Sequence, residues 1–157
     1  MIWGVDIGLG GAMALITENE DAKVFDMPVV EIGRRKEVSA NGVREILMEH
    51  RCPVLIERVN AMPNQGPASM FSFGTSWGIT RGVVAGIQYP VSYVHPKVWK
   101  QALQLQKGKD ASRSRAMDLY PKLHDVLKRK KDDGRAEALL IAHYGINHLE
   151  SFHFKMT

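Results

Sequence analysis

Residues 2–30 read as three short apolar runs separated by tight turns, and no other feature limits the fold as much. Ile2 to Gly8 is apolar, β-branched and closed by glycine. Gly8, Gly10 and Gly11 make a turn, and Ala12 to Thr17 reads as a second strand. Asn19 to Asp21 is a further turn. Lys23 to Val30 is a third strand, weakened toward its end by Pro28. Hairpin-linked strands in succession make an antiparallel meander.

The pattern then changes to alternation. Glu31 to Glu37 is charged and reads as a loop or edge. Ser39 or Asn41 caps a helix through about His50, with Val43, Ile46 and Leu47 at helical spacing. Val54 to Val59 reads as a buried strand, Asn60 to Ser69 as a loop, Met70 to Ile87 as a helix, and Val91 to Val94 as a fifth strand. Helices follow over Pro96–Gln104, Ser112–Tyr120 and about Gly134–Leu149, with a polar link at Gln106–Asp110. A meander followed by helix–strand alternation predicts an α/β fold: a five-stranded mixed sheet with helices on both faces. The 157 residues amount to one domain. The single cysteine, Cys52, excludes an internal disulfide framework and a cysteine-based zinc site. There is no apolar run of about 18 residues to cross a membrane. The start, MIWGVDIG, lacks the basic stretch of a signal peptide, so an intracellular, cytoplasmic protein is expected.

Three acidic sites stand out, the third of them a pair of residues. Asp6 and Glu57 each interrupt an apolar strand, and burying an ionised carboxylate without a partner costs several kcal/mol. Asp133 and Glu137, four residues apart at a helix start, project from one face. Each has an ordinary reading: Asp6 bonded to the glycine turn, Glu57 paired near Arg58 or with Arg81, Asp132 or Asp133 as a helix cap. No basic residue obviously serves both strands, whereas a divalent cation would serve all the acids together. Carboxylates suit Mg²⁺ or Mn²⁺. Two such ions about 4 Å apart form a clamp for phosphodiester hydrolysis. The histidines share no metal-ligand spacing, and a structural role is expected for them.

Net charge is +4, unevenly spread. His95 to Arg135 carries 12 basic and 5 acidic side chains, against 9 and 12 elsewhere, which points to a polyanionic partner. Lys107, Lys109, Arg113 and Arg115 flank the polar link and a helix start, and Lys130 and Lys131 lead into Asp133. Cations beside an acidic cluster are what a nuclease needs to hold phosphates. Phe71 and Phe73, in a loop after the Glu57 strand, are candidates to stack on or wedge between bases, with core packing expected for one of them. Gly74, Gly78, Gly82 and Gly86 recur every four residues and predict close packing of another backbone, either the sheet or the same helix of a second subunit.

GVDIGLGGAMAL at the start, VLIERV in the middle and DDGRAEALLIA near the end resemble the RuvC-type Holliday-junction resolvases of the ribonuclease H-like superfamily, most of all their short phage and organelle versions. HPKVWKQAL, KGKDASR and LYP, between Val94 and Pro121, are similar as well. The resemblance runs from Ile2 to about Tyr144. It implies a ribonuclease H-like fold and a homodimer that cuts four-way DNA junctions in pairs, using two Mg²⁺ or Mn²⁺ ions per site, and it suggests a phage setting. It places Asp6, Glu57, Asp133 and Glu137 as the catalytic, metal-binding acids. Bacterial members space the last two acids by three residues, where this chain has Gly134, so Asp132 is a possible substitute for Asp133. Lys107 and Lys109 look like the DNA-binding lysines, and Phe71 or Phe73 like the junction-opening aromatic.

Other readings stay open on sequence. A flap-directed nuclease or a ribonuclease H would share the acids. A non-catalytic branched-DNA-binding module would have lost one. An actin-like or sugar-kinase phosphotransferase would share the glycine turn, but needs two such domains.

Overall fold

A computed structural model describes residues 1–19, 21–58, 60, 66–106, 108 and 110–155. Strands β1 (Ile2–Asp6), β2 (Ala12–Ile16) and β3 (Ala22–Asp26) form the antiparallel meander. A second pair, β4 (Val29–Ile32) and β5 (Arg35–Val38), follows, then helix α1 (Ala40–Leu47) and strand β6 (Val54–Glu57). Helix α2 (Pro67–Gly86), strand β7 (Val91–Val94) and helices α3 (Pro96–Ala102), α4 (Ala111–Leu119), α5 (His124–Leu127) and α6 (Asp133–Asn147) complete the chain. The sheet order is β3-β2-β1-β6-β7, with β6 parallel to β1 and β7 parallel to β6. This is the predicted five-stranded mixed sheet.

Strand alternation gives the sheet two different faces. Trp3, Val5, Met13, Leu15, Val54 and Ile56 pack with α1 and α2 through Val43, Leu47 and Val84. Ile2, Ala14, Ile16 and Leu55 pack on the other side with Ala138, Leu139, Ile141 and Ala142 of α6. Helix α6 lies directly on β1. A Cβ at Gly4 would overlap the Ala138 carbonyl and the Ala142 amide, so only glycine permits the approach. Asp6 and Glu57 continue the Gly4 and Leu55 face, so both strands end with a carboxylate on the α6 side.

Two expectations need correction. Glu31–Glu37, read as a loop or edge, forms most of a separate two-stranded hairpin, β4–β5, turned at Gly33 with φ of 62°. Its strand signal was hidden because the apolar residues of β4 meet no core: Val29, Val30 and Ile32 are all exposed, and in β5 only Val38 is buried. The glycine stripe of α2 does not touch the sheet. A Cβ at Gly74, Gly78, Gly82 or Gly86 would meet nothing within 4 Å, and α2 packs through Ser76, Thr80 and Val84 instead. The α2 hydroxyls do not go unpaired: Ser76 Oγ donates to the Ser72 carbonyl at 3.0 Å and Thr80 Oγ1 to that of Ser76 at 2.9 Å. Ser39 caps α1, its Oγ accepting from Gly42 N at 3.2 Å.

Candidate active site

The β1–β2 turn and the start of α6 are built against each other. Gly11 N donates to the Gly8 carbonyl at 3.1 Å, and Gly8 has φ of 140°, which favours glycine. A Cβ at Gly134 would overlap the Gly10 carbonyl oxygen. With no side chain at Gly134, the first turn of α6 rests on the glycine turn. That contact brings Glu137 over the ends of β1 and β6. Donor oxygens of Asp6, Glu57 and Glu137 thus lie within 4.8 Å of one another.

Two consecutive residues of α3 hold two of these acids. Trp99 Nε1 donates to Glu57 Oε1 at 2.9 Å, in place of the arginine partner considered for Glu57. Lys100 Nζ donates to Glu137 Oε1 at 2.7 Å, and Ser112 Oγ donates to the same oxygen at 3.0 Å. Arg81 instead lies over the rings of Trp77 and Tyr93. Burial first, then the charges of Glu137 and Glu57, push the Asp6 carboxyl well above the usual carboxylate range, with Lys100 opposing. Burial also raises Glu57, against the Trp99 hydrogen bond. One ammonium among three crowded carboxylates leaves an excess of negative charge. An all-oxygen donor set of this kind fits a hard divalent cation. No histidine belongs to the cluster among the described residues.

Asp6, Lys100, Ser112, Asp133 and Glu137 share one cleft of about 470 Å³ with Gly108 of the polar link. Asp133 stands at its edge, its Oδ1 2.9 Å from Arg113 Nε. Asp132 is not at the cleft. It is 2% exposed and bound by Arg129, whose backbone N and Nη2 both donate to its carboxylate at 2.9 Å. Asp132 stands at the start of α6, but its side chain makes no cap bond to the helix; its carboxylate is taken up by Arg129, so neither the cap reading nor a place as substitute acid fits it. Arg113 is also corrected: it is buried, donates to the Lys128 carbonyl at 2.8 Å and pairs with Asp110, so it cannot present its charge to a phosphate. Arg115 is half-buried on the neighbouring cleft, while Lys130 and Lys131 are exposed. Lys107 and Lys109 lie outside the described residues.

Phe71 and Phe73 sit in the early turns of α2, not in a loop. Phe73 is half-buried, its ring 3.6 Å from where a Gly8 Cβ would stand, whereas Phe71 is 69% exposed. Sequence reading missed Trp99, Lys100 and Ser112 as site residues. The signal was present in HPKVWKQAL, where Pro96 starts a helix and one turn later a tryptophan and a lysine are adjacent.

The sheet and its helices make a ribonuclease H-like fold, with an acidic cluster where β1, β6 and α6 meet. No protein-family model matches the chain. It is similar to the chloroplastic Holliday junction resolvase MOC1 of Chlamydomonas reinhardtii, at 29% identity over a 150-residue alignment covering 78% of this chain. The match spans only 17% of that longer protein. Among solved structures, RuvC of Thermus thermophilus in complex with a Holliday junction substrate superposes with a TM-score of 0.68 at 18% identity, covering 98% of this chain and 97% of that one. Another Thermus thermophilus RuvC structure gives 0.62, also at 18% identity, covering 96% and 95%. The likeness read from the sequence thus returns as a sequence match to a Holliday junction resolvase and as the fold of RuvC. No helix among the described residues is long and apolar enough to cross a membrane.

Proposed function

We propose that this chain is a structure-selective DNA endonuclease that resolves four-way junctions by paired, metal-dependent phosphodiester hydrolysis. The observation that carries the reading is the convergence of Asp6, Glu57 and Glu137 from three elements onto one point. The similarity to MOC1 and the RuvC fold support it. Asp6, Glu57 and Glu137 hold the metal, Mg²⁺ or Mn²⁺ as two ions per site, with Asp133 as the fourth carboxylate in the cleft. When bound, such ions supply an activated water and offset charge on the phosphate.

The chain's own residues fix the geometry. Trp99 orients Glu57, while Lys100 and Ser112 orient Glu137. Lys130, Lys131 and Arg115 hold DNA phosphates, and Lys107 and Lys109 are assigned the same role from their place in the sequence. Phe71, the exposed aromatic, stacks on bases at the branch. The 157 residues act as one nuclease domain in an intracellular, phage-type setting. The exposed face of α2 joins two copies, and a two-fold dimer presents two equivalent sites to opposed strands.

The test is nicking of a synthetic four-way junction, a flap and an RNA–DNA hybrid, with Mg²⁺ or Mn²⁺, by the wild type and Asp6→Asn. Symmetric paired cuts in the junction that vanish in the variant, while junction binding survives, are expected. Preference for the flap or hybrid would overturn the substrate and leave the metal site standing. No cleavage of any substrate would leave only a DNA-binding module.

A further inference from the structure

A second cavity lies just across the glycine turn from the acidic cleft. It measures about 470 Å³ and opens between β5 and the first half of α2. Leu9, Phe71 and Thr75 supply its less polar wall, and Arg35, Lys36 and Glu37 the other. Leu9 lines this cavity, while the next residue, Gly10, lines the acidic cleft, so one turn separates the two spaces. Arg35 and Glu37 are alternate residues of β5 and share a face. Among the described residues neither makes an ion pair or a side-chain hydrogen bond, whereas Thr75 uses its hydroxyl on the Phe71 carbonyl. Arg34, Arg35 and Lys36 are all exposed at the hairpin tip. An exposed aromatic, a free carboxylate and a cationic rim suit one kind of occupant. A base stacks on a ring, its amino group donates to a carboxylate, and its backbone phosphate meets cations.

We infer that this cavity receives an unstacked nucleobase from a nucleotide beside the phosphate held at the acidic cleft, with Phe71 stacking on it, Arg35 and Lys36 on its backbone, and Glu37 accepting from its exocyclic amino group. The inference rests on the junction-nuclease reading and adds base selectivity to it. Adenine, cytosine and guanine carry the amino group; thymine does not. Glu37 thereby sets a preference against thymine at one position near the cut.

The experiment uses junctions carrying each base in turn on either side of the cut, nicked by the wild type, Glu37→Gln and Arg35→Ala. Unchanged thermal unfolding of each variant shows that it is folded. At one position the wild type is expected to cut amino-bearing bases roughly tenfold faster than thymine. Glu37→Gln should narrow that ratio to within about twofold, and Arg35→Ala should weaken junction binding. A wild type that nicks without preference, or a preference unchanged in Glu37→Gln, overturns the base pocket and leaves the nuclease reading intact. A metal-free binding measurement separates the two in the other direction. A junction with 2-aminopurine beside the crossover should be dimmer bound to the wild type than to Phe71→Ala, because stacking quenches it. A dimmer probe without any nicking would keep the pocket and sink the nuclease. Equal emission, or no binding, would sink the pocket.

Discussion

Lys100 Nζ lies 2.7 Å from Glu137 Oε1, and the adjacent Trp99 reaches Glu57 from the same helix. One short helix thus orients two carboxylates that come from different parts of the fold. Lys100 also opposes the upward push on Asp6. Replacing it with methionine keeps the stem and removes the ammonium. Lys100→Met should lower junction nicking about 10- to 100-fold at saturating metal, as loss of a ligand-orienting partner does. Single-turnover nicking measures this, and an unchanged rate would show that Glu137 needs no such support.

Burial of Asp6 and Glu57, and then the charges crowded beside them, give the metal-free protein a defined pH response. Asp6 and Glu57 titrate above their unfolded values. A raised carboxyl pKa contributes stability that is complete below the unfolded value and is lost as pH rises through the folded one. In EDTA, stability should therefore fall as pH climbs from the ordinary carboxylate range, and Asp6→Asn should flatten that fall. Added Mg²⁺ or Mn²⁺ should reverse it in the wild type, by about 2.7 kcal/mol at a hundredfold excess over Kd, and do little in Asp6→Asn. Thermal unfolding against pH, with and without metal, reads all of this; a flat wild-type profile would mean that neither burial nor neighbouring charge raises these carboxyls.

Neighbouring aspartates at the start of α6 have different tasks, and two asparagine variants separate them. Arg129 holds the Asp132 carboxyl below the usual carboxylate range. Its contribution is present above the unfolded pKa and is lost as pH falls through the folded one. Asp132→Asn should cost about 1–2 kcal/mol at neutral pH while nicking at low temperature persists. Asp133→Asn should abolish most nicking with little loss of stability. Denaturant titration paired with a nicking assay checks both; the reverse pattern would restore Asp132 as the functional acid.

The sheet was legible because its strands are short, apolar and punctuated by glycine, and because two of them carry carboxylates that an ordinary core would exclude. Asp6 and Glu57 were legible for that reason, and Glu137 through its four-residue helical spacing from Asp133. The β4–β5 hairpin was not, because Val29, Val30 and Ile32 face outward and their strand period is masked by the charges between them. Arg113 could not be told from an exposed cation, because only the fold shows Lys128 and Asp133 closing around it. The adjacency of Trp99 and Lys100 was present in the sequence, but their partners Glu57 and Glu137 became visible only once α3 was placed beside the cluster.

The four-residue spacing of Asp133 and Glu137 has a steric cause at the position between them. Gly134 rests on the Gly10 carbonyl, and any Cβ there would overlap it. Gly134→Asp, which would supply an acid at the three-residue spacing, should therefore destabilise the protein by about 2–4 kcal/mol and gain no activity. Chemical denaturation checks this, and a stable, active variant would show that the α6 start can shift.

The exposed glycine face of α2 makes opposite predictions for the monomer and the dimer. A Cβ at Gly78 meets nothing within 4 Å in the single chain, so a side chain can leave the helix there without a clash at its first atom. Glycine is about 0.8–1 kcal/mol worse than alanine inside a helix, and leucine is close to alanine. Gly78→Leu should therefore raise the stability of the isolated chain by nearly that amount. In a dimer that packs α2 closely against its copy, the same leucine would hold the two backbones apart. Sedimentation should then show the variant as a monomer at concentrations where the wild type is paired. Cuts on a four-way junction should become single and unsynchronised, since each monomer carries one site. A more stable protein with an unchanged sedimentation profile would place the dimer contact elsewhere.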